Sequence, residues 1–331
     1  MVKREPGDVL LAAASFRLAA AIRAAVSLGV GEALEGRPRP AGEVAAAVGA
    51  GEAGTALLLR ALAAEGVLEE DEAGRFSLGP AGSALLPAAR GGYKELILGW
   101  AGLPAVYRAL DRLDEGVRSG RPAFELAHGQ EFFGWLAAHP DDEARYHEAV
   151  GGWTREEFEG YVDLVDLSDR TVVADIGGGG GGFLRALLAR WPHLRGIVVE
   201  LPSVAQRLDT AGPGDRISVH VADCRTDPLP AADCFLFSTV LRYFPDDVAA
   251  GVLASVRRAS EHAVVVLYEM PPPPGPARAP SAMKSLVEFA LTGGRDRTVA
   301  ELRALFNGAG FDAVEAREAR DPFWVVVARP S

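Results

Sequence analysis

Thr171-Val172-Val173-Ala174-Asp175-Ile176-Gly177-Gly178-Gly179-Gly180-Gly181-Gly182-Phe183-Leu184-Arg185-Ala186-Leu187-Leu188 is the stretch that decides the fold. A short apolar run rich in valine meets six consecutive glycines, and an apolar pattern of helical period follows. Strand, tight loop and helix in that order read as the opening of an α/β unit. Glycine lets the backbone approach a ligand closely, and the loop sits at the positive end of a helix dipole. The expectation is a nucleotide-like cofactor.

Outward from this stretch, strands are expected at 171–175, 195–200, 216–221, 233–238 and 263–268, alternating with helices at 180–190, 203–209 and 246–260. That alternation specifies a doubly wound parallel sheet. Pro271–Pro274 ends the fifth strand in a stiff loop, and a helix at 298–309 leads to closing strands near 311–317 and 323–328. Toward the N-terminus, a helix at 8–35, a short helix within 39–49, a helix at 53–65 and a hairpin of 66–70 with 75–78 form a winged-helix pattern. The helix that would read DNA is Ala53-Gly54-Thr55-Ala56-Leu57-Leu58-Leu59-Arg60-Ala61-Leu62. A single arginine among apolar residues suits a protein partner better than a major groove. Residues 91–165 are expected to be helical and hold many aromatic residues, mostly core, with some lining a pocket for a flat substrate. The division expected is 1–92, 93–165 and 166–331.

Composition narrows the function. The chain has 331 residues, 49% hydrophobic and 24% charged, and a net charge of −11. It carries no long basic run, so nucleic acid is not an expected partner. Cys224 and Cys234 form neither a CxxC nor a His/Cys cluster, and no histidine pair has ligand spacing, so no metal is expected. A reducing cytoplasm fits. No signal-peptide core is expected at the N-terminus, and no apolar run is expected to reach the ~20 residues of a membrane span.

The glycine run satisfies GxGxxG, and Glu200 ends the second strand, which together fit a nicotinamide dinucleotide. Two further acids favour S-adenosylmethionine. Asp175 closes the first strand to give Asp-x-Gly-x-Gly-x-Gly through Gly177, Gly179 and Gly181, and Asp223 ends the third strand. Three carboxylates along one crevice suit a sulfonium, an ammonium and a ribose diol, and would repel a pyrophosphate.

With these residues in view, the chain resembles the bacterial relatives of the plant-type small-molecule O-methyltransferases. The resemblance rests on the winged-helix front end and on Val117–Phe124, His128-Gly129 and Phe133-x-x-Leu136. It continues through Val173–Gly179, Val199-Glu200-Leu201-Pro202 and Leu291–Thr298. It implies an α/β, Rossmann-like doubly wound methyltransferase domain behind a mainly helical winged-helix dimerisation domain, assembled as a homodimer. It implies that Gly177 and Gly179 approach the methionine part of S-adenosylmethionine, that Glu200 takes the ribose, and that Asp223 and Cys224 flank adenine. Leu201 and Ser238 would lie beside the cofactor, and Tyr146, Val150, Trp153 and Tyr243 beside a small-molecule substrate.

The family's catalytic His-Asp-Trp triplet is absent. The matching run is Ser238-Thr239-Val240-Leu241-Arg242-Tyr243-Phe244-Pro245, with Arg242 where the histidine base should stand. A guanidinium has no acceptor and cannot take the acceptor's proton. The resemblance makes Glu269 and Asp296 the two acids that would have oriented the histidine. Three readings stay open. Arg242 handles a substrate anion during methyl transfer to oxygen, nitrogen or carbon; or the site is repurposed for a non-methylating step such as a pericyclic reaction, hydroxylation or decarboxylation; or Arg242 merely pairs with Glu269 or Asp296. His147 is a candidate replacement base. Tyr243 is a weaker one, since a free phenol ionises near ~10.

Overall fold

The computed structural model of the chain describes residues 5–87, 93–158, 160–208, 216–273, 275, 279–320 and 323–330, with the backbone alone for 152–158, 279–280 and 320. The chain divides into two compact units, Met1–Pro104 with Asp141–Gly152, and Ala105–Pro140 with Trp153–Ser331.

In the first unit the expected helix at 8–35 is three helices, α1 (Pro6–Ala13), α2 (Phe16–Leu28) and α3 (Val30–Leu34). Ala14 and Ser15 interrupt the first pair. Gly29, at φ +79°, takes the left-handed conformation that ends α2 and turns the chain into α3. By length and mean hydropathy Pro6–Leu28 is long and apolar enough to cross a membrane, contrary to the expectation that no run would be. Alanine raises that mean, while Arg17 and Arg23 interrupt it. Two more helices, α4 (Ala41–Val48) and α5 (Glu52–Ala64), precede strands β2 (Leu68–Glu70) and β3 (Arg75–Leu78). A two-residue strand, β1 (Arg39–Pro40), completes a sheet in the order β1-β3-β2. Val26, Val30, Leu34, Val44, Leu59, Leu62, Leu68 and Phe76 form the core. On α5, Leu59 and Leu62 face inward while Leu57 is exposed. Short helix α6 (Lys94–Leu96) runs into a π-helical turn at Ile97–Ala101.

The second unit takes up α7 (Pro104–Leu110), α8 (Leu113–Ser119), α9 (Ala123–His128) and α10 (Phe132–Ala138). Phe124 and Phe132 are buried, and His128 bonds the Ala105 carbonyl through Nε2 at 2.9 Å. The long α11 (Pro140–Phe158) follows.

The sheet of the second unit runs β6-β5-β4-β7-β8-β10-β9. Its parallel strands are β4 (Val172–Ile176), β5 (Arg195–Glu200), β6 (Ile217–Val221), β7 (Cys234–Ser238) and β8 (Val264–Glu269). The closing strands β9 (Ala313–Arg320) and β10 (Phe323–Arg329) are antiparallel, with β10 against β8. Helices α12 (Gly182–Arg190), α13 (Pro202–Ala205), α14 (Asp246–Ala259), α15 (Ala279–Thr292) and α16 (Val299–Gly308) intervene. α13 is shorter than the helix expected at 203–209, and residues 209–215 lie outside the described ones.

Alternation along buried strands makes two cores. Ala174, Ile176, Phe235, Phe237, Val265 and Leu267 pack with Val252, Leu253 and Val256 of α14 and with Leu302 and Phe306 of α16. Val173, Leu236, Val266, Tyr268 and Phe323 pack on the other side with Phe183, Leu184 and Leu187 of α12. The chain steps from β4 to β5 to β6, then returns to place β7 on the other flank of β4. That reversal opens a crevice at the carboxyl ends of β4 and its neighbours.

Two glycines give a test of opposite signs. A Cβ on Gly294 would lie 2.0 Å from the Arg242 carbonyl oxygen, whereas one on Gly251, inside α14, meets nothing within 4 Å. We expect Gly294→Ala to destabilise the protein by about 1–3 kcal/mol and Gly251→Ala to stabilise it by about 0.5–1 kcal/mol. Urea midpoints measure both, and a harmless Gly294→Ala contradicts the packing described.

Candidate active site

The glycine loop leaves β4 with Gly177, Gly179 and Gly181 at φ +63°, +54° and +70°, conformations that other L-residues resist. The Gly177 N–H bonds the Val199 carbonyl at 2.9 Å, which holds the loop across the tip of β5. At that tip, Glu200 accepts from the Gly179 N–H at 2.8 Å and from the Leu201 N–H at 2.9 Å. Each carboxylate oxygen is thereby oriented by one backbone donor and keeps lone pairs for more.

Asp175 is buried beneath the loop, and a Cβ on Gly178 would come within 2.5 Å of its carboxylate. Among the described residues no hydrogen-bond partner reaches Asp175 Oδ1. Burial, and then the charge of Glu200, push its carboxyl up to about 8. A buried acid with an unpartnered oxygen, beside a second acid, suits a cation.

Past β6, Asp223 pairs with Arg225 at 2.7 Å, and Arg225 reaches Glu131 at 2.5 Å. Burial works to raise the Asp223 carboxyl, but bonds from the Arg225 side chain and N–H prevail and lower it. Beside it, the Cys224 thiol is pushed up to about 12, by burial first and the charge of Asp223 second.

Ser238 ends β7. The next residue, Thr239, is the only non-glycine among the described residues with positive φ, at +56°, and its N–H bonds the Tyr268 carbonyl at 2.8 Å. Strain of this kind collects at functional sites. A short turn, Leu241–Tyr243, then carries Arg242. Arg297 donates to the Leu241 carbonyl at 2.8 Å, to the Phe244 carbonyl at 2.7 Å and to Asp246 at 2.8 Å, fastening the turn. Residue-type reasoning missed both Thr239 and Arg297. The threonine carries no sequence signal, and the arginine's only signal is its place in the Leu291–Thr298 run.

Arg242 is buried, ion-paired with Glu269 at the end of β8, and lies 3.5 Å from Asp296 Oδ1. Two residues not anticipated from the sequence join these three. Lys284 of α15 places Nζ 2.9 Å from Asp296 Oδ1, an ion-pair contact out of line for a hydrogen bond. Glu288 lies one turn along the same helix and is buried. Tyr243 packs edge-on against Phe133, with centroids 5.3 Å apart, and lines a cavity of about 340 Å³ with Arg225 and Pro245. That volume falls in the range of small-ligand pockets.

Asp175, the glycines, Glu200, Leu201, Asp223, Cys224, Ser238, Arg242, Tyr243, Glu269 and Asp296 thus all lie in the second unit, at or beyond strand ends. Tyr146, His147 and Val150 lie on α11 in the first unit, and the Trp153 side chain is outside the described residues. Among the described residues, no group of three or more histidine, cysteine, aspartate or glutamate side chains is placed to hold a metal.

Comparison with known proteins agrees with this chemistry. Residues 110–312 match the O-methyltransferase domain family, and residues 10–88 match the O-methyltransferase dimerisation domain. The phenazine O-methyltransferase PhzM of Lysobacter antibioticus is 31% identical over 313 residues, 92% of this chain and 91% of that protein. The crystal structure of LaPhzM superposes with a TM-score of 0.88 at 30% identity, covering 99% of this chain and 100% of the other. The neocarzinostatin-pathway O-methyltransferase NcsB1, solved with S-adenosylmethionine and 2-hydroxy-5-methyl naphthoic acid, gives 0.83 at 27% identity, covering 95% and 96%. The acid-lined crevice, the matched domains and these relatives lead to one conclusion: the chain belongs to the plant-type family of S-adenosylmethionine-dependent small-molecule O-methyltransferases.

Proposed function

We propose that this methyltransferase works as a homodimer and methylates a hydroxyl on a polycyclic aromatic acceptor of specialised metabolism, in the cytoplasm. The observation that carries the cofactor part is Asp175, buried under a glycine loop with its Oδ1 unpartnered among the described residues, and with Glu200 beside it. These residues fit a cationic ligand. Asp175 and Gly177, Gly179 and Gly181 would hold the methionine portion, Glu200 the ribose hydroxyls, and Asp223 and Cys224 the adenine, with Leu201 and Ser238 alongside. S-adenosylmethionine supplies the electrophilic methyl group, leaving the protein to align the acceptor and manage one proton. Alignment alone can contribute about 7–11 kcal/mol. The aromatic acceptor is supported by relatives named for phenazine and naphthoate substrates and by the Phe133–Tyr243 cavity. Incubating a panel of hydroxylated naphthoates and phenazines with the cofactor tests the reading. Product heavier by one methylene, with equimolar S-adenosylhomocysteine, supports it; unspent cofactor with altered product refutes it.

The homodimer is supported by the matched dimerisation domain and by the apolar side chains of α1, where Leu10 is 71% and Leu11 69% exposed. Changing Leu10 and Leu11 together to Asp should halve the mass found by light scattering and leave helical circular dichroism intact. An unchanged mass would place the interface elsewhere.

Asp175 couples cofactor binding to pH. In the free protein its carboxyl holds a proton up to about pH 8, and a bound ammonium or sulfonium would displace it. Binding near pH 7 should therefore release up to one proton, seen as a calorimetric enthalpy that varies with buffer ionisation. Affinity should rise with pH toward 8 and then level. The folded-state carboxyl ionises above its unfolded value, so stability of the free protein falls between about pH 4 and 8. Asp175→Asn should raise the melting temperature of the free protein above pH 8 and weaken cofactor binding at least tenfold. A variant that binds as well as the parent removes Asp175 from the site.

A further inference from the structure

Arg242 cannot serve as a base, because a guanidinium accepts no proton and this one is already paired with Glu269. The proton still has to go somewhere. Five ionisable side chains meet here from four elements: Arg242 from the turn after β7, Glu269 from the end of β8, Lys284 and Glu288 from α15, and Asp296 from the loop beyond it. The side chains of Arg242, Glu269 and Asp296 are 4%, 3% and 0% exposed, and Glu288 is 3% exposed overall, whereas that of Lys284 is 18% exposed. The cluster therefore opens outward along the lysine. Lys284 Nζ has no aligned hydrogen-bond partner among the described residues, although Asp296 stands close enough to hold it as a cation.

Composition adds an independent observation. Of 34 basic residues only Lys3, Lys94 and Lys284 are lysines. Lys94 pairs with Glu32 in the first unit, and Lys3 lies outside the described residues. In a chain that mostly uses arginine, this buried cluster keeps a cation able to lose its proton.

We infer that Lys284, in its neutral form, is the catalytic residue that takes the proton from the acceptor hydroxyl. This rests on the O-methylation proposed above. The acceptor O–H bond breaks, its proton passes to the Nζ lone pair, and the oxygen keeps the electron pair that forms the bond to the methyl carbon as the carbon–sulfur pair returns to sulfur. The new ammonium is held by Asp296 and gives its proton to water as product leaves. Burial, then the charge of Arg242, opposed by Asp296, bring the lysine down to about 8, so a useful neutral fraction exists near neutral pH. Glu288, pushed up to about 7 chiefly by burial, is the rival base in the same cluster.

The test uses the full chain, with Lys284→Met, Lys284→Arg and Glu288→Gln. Carbon-13 labelling of lysine side chains gives a signal for each of three residues, with that of Lys284 identified by its loss in Lys284→Arg. It should titrate near pH 8 in the absence of any acceptor. Single-turnover methylation is then compared for 2-naphthol, protonated at pH 7, and 2-naphthalenethiol, which has the same shape and ionises near neutrality. Both lysine variants should lose about 10²–10⁴-fold with the naphthol and less than about fivefold with the thiol. The parent rate with naphthol should rise with pH and level above about 8. Lys284→Arg retains charge and bulk, so a folding defect confined to Lys284→Met does not blur the result. A lysine signal that titrates as a free side chain, equal losses with both acceptors, or no loss with either overturns the inference. Selective loss in Glu288→Gln alone overturns it and moves the base to Glu288. If the parent methylates neither these probes nor any hydroxylated naphthoate or phenazine, the acceptor class proposed above falls, and the lysine titration alone decides this inference.

Discussion

The constraint on which the site depends is the cost of keeping carboxylates out of water. Asp175 and Glu200 are both buried at adjoining strand tips, where solvation is lost and their charges repel. In the free protein the strain is eased by a proton on Asp175 and by two backbone donors on Glu200. Neither remedy is as good as a cation. A sheet that reverses strand order at β4 creates the crevice, and the two acids give its floor a charge that suits a cation. The three left-handed glycines keep side chains away and leave the backbone as the floor of the crevice.

A second acidic cluster lies further along the same carboxyl edge and solves the burial problem differently. Arg242 and Lys284 are placed among Glu269, Glu288 and Asp296, so most of the charge is neutralised inside the protein. Such an arrangement is expensive unless its geometry is fixed. Here it is fixed by neighbouring residues. Arg297 ties down the turn that carries Arg242, Gly294 lets the following loop press against that turn, and the Ser285 hydroxyl accepts from the Asp296 N–H at 3.1 Å.

Much of the second unit was legible in the sequence because its strands are short apolar runs bounded by turn residues, and because Asp175, Glu200 and Asp223 stand at run ends. The parallel core and the closing pair appear close to where these patterns put them. Other features were hidden for physical reasons. Arg39-Pro40 is too short to read as a strand and exists through pairing with Phe76 and Arg75. The helical period runs unbroken through Ser15 and Gly29, so breaks set by backbone conformation did not show. Lys284 and Glu288 are far in sequence from Arg242 and meet it only because α15 packs against the turn. The rarity of lysine was a visible clue that periodicity does not weigh.

The two cysteines carry a practical consequence. Cys234 lies within β7 and Cys224 beside Asp223, and burial, with nearby acids adding to it, pushes both thiols up to about 12. Thiolate is the reactive form, so alkylating reagents should pass by Cys234, which is fully buried. Labelling of Cys234 then becomes a built-in clock for opening of the sheet.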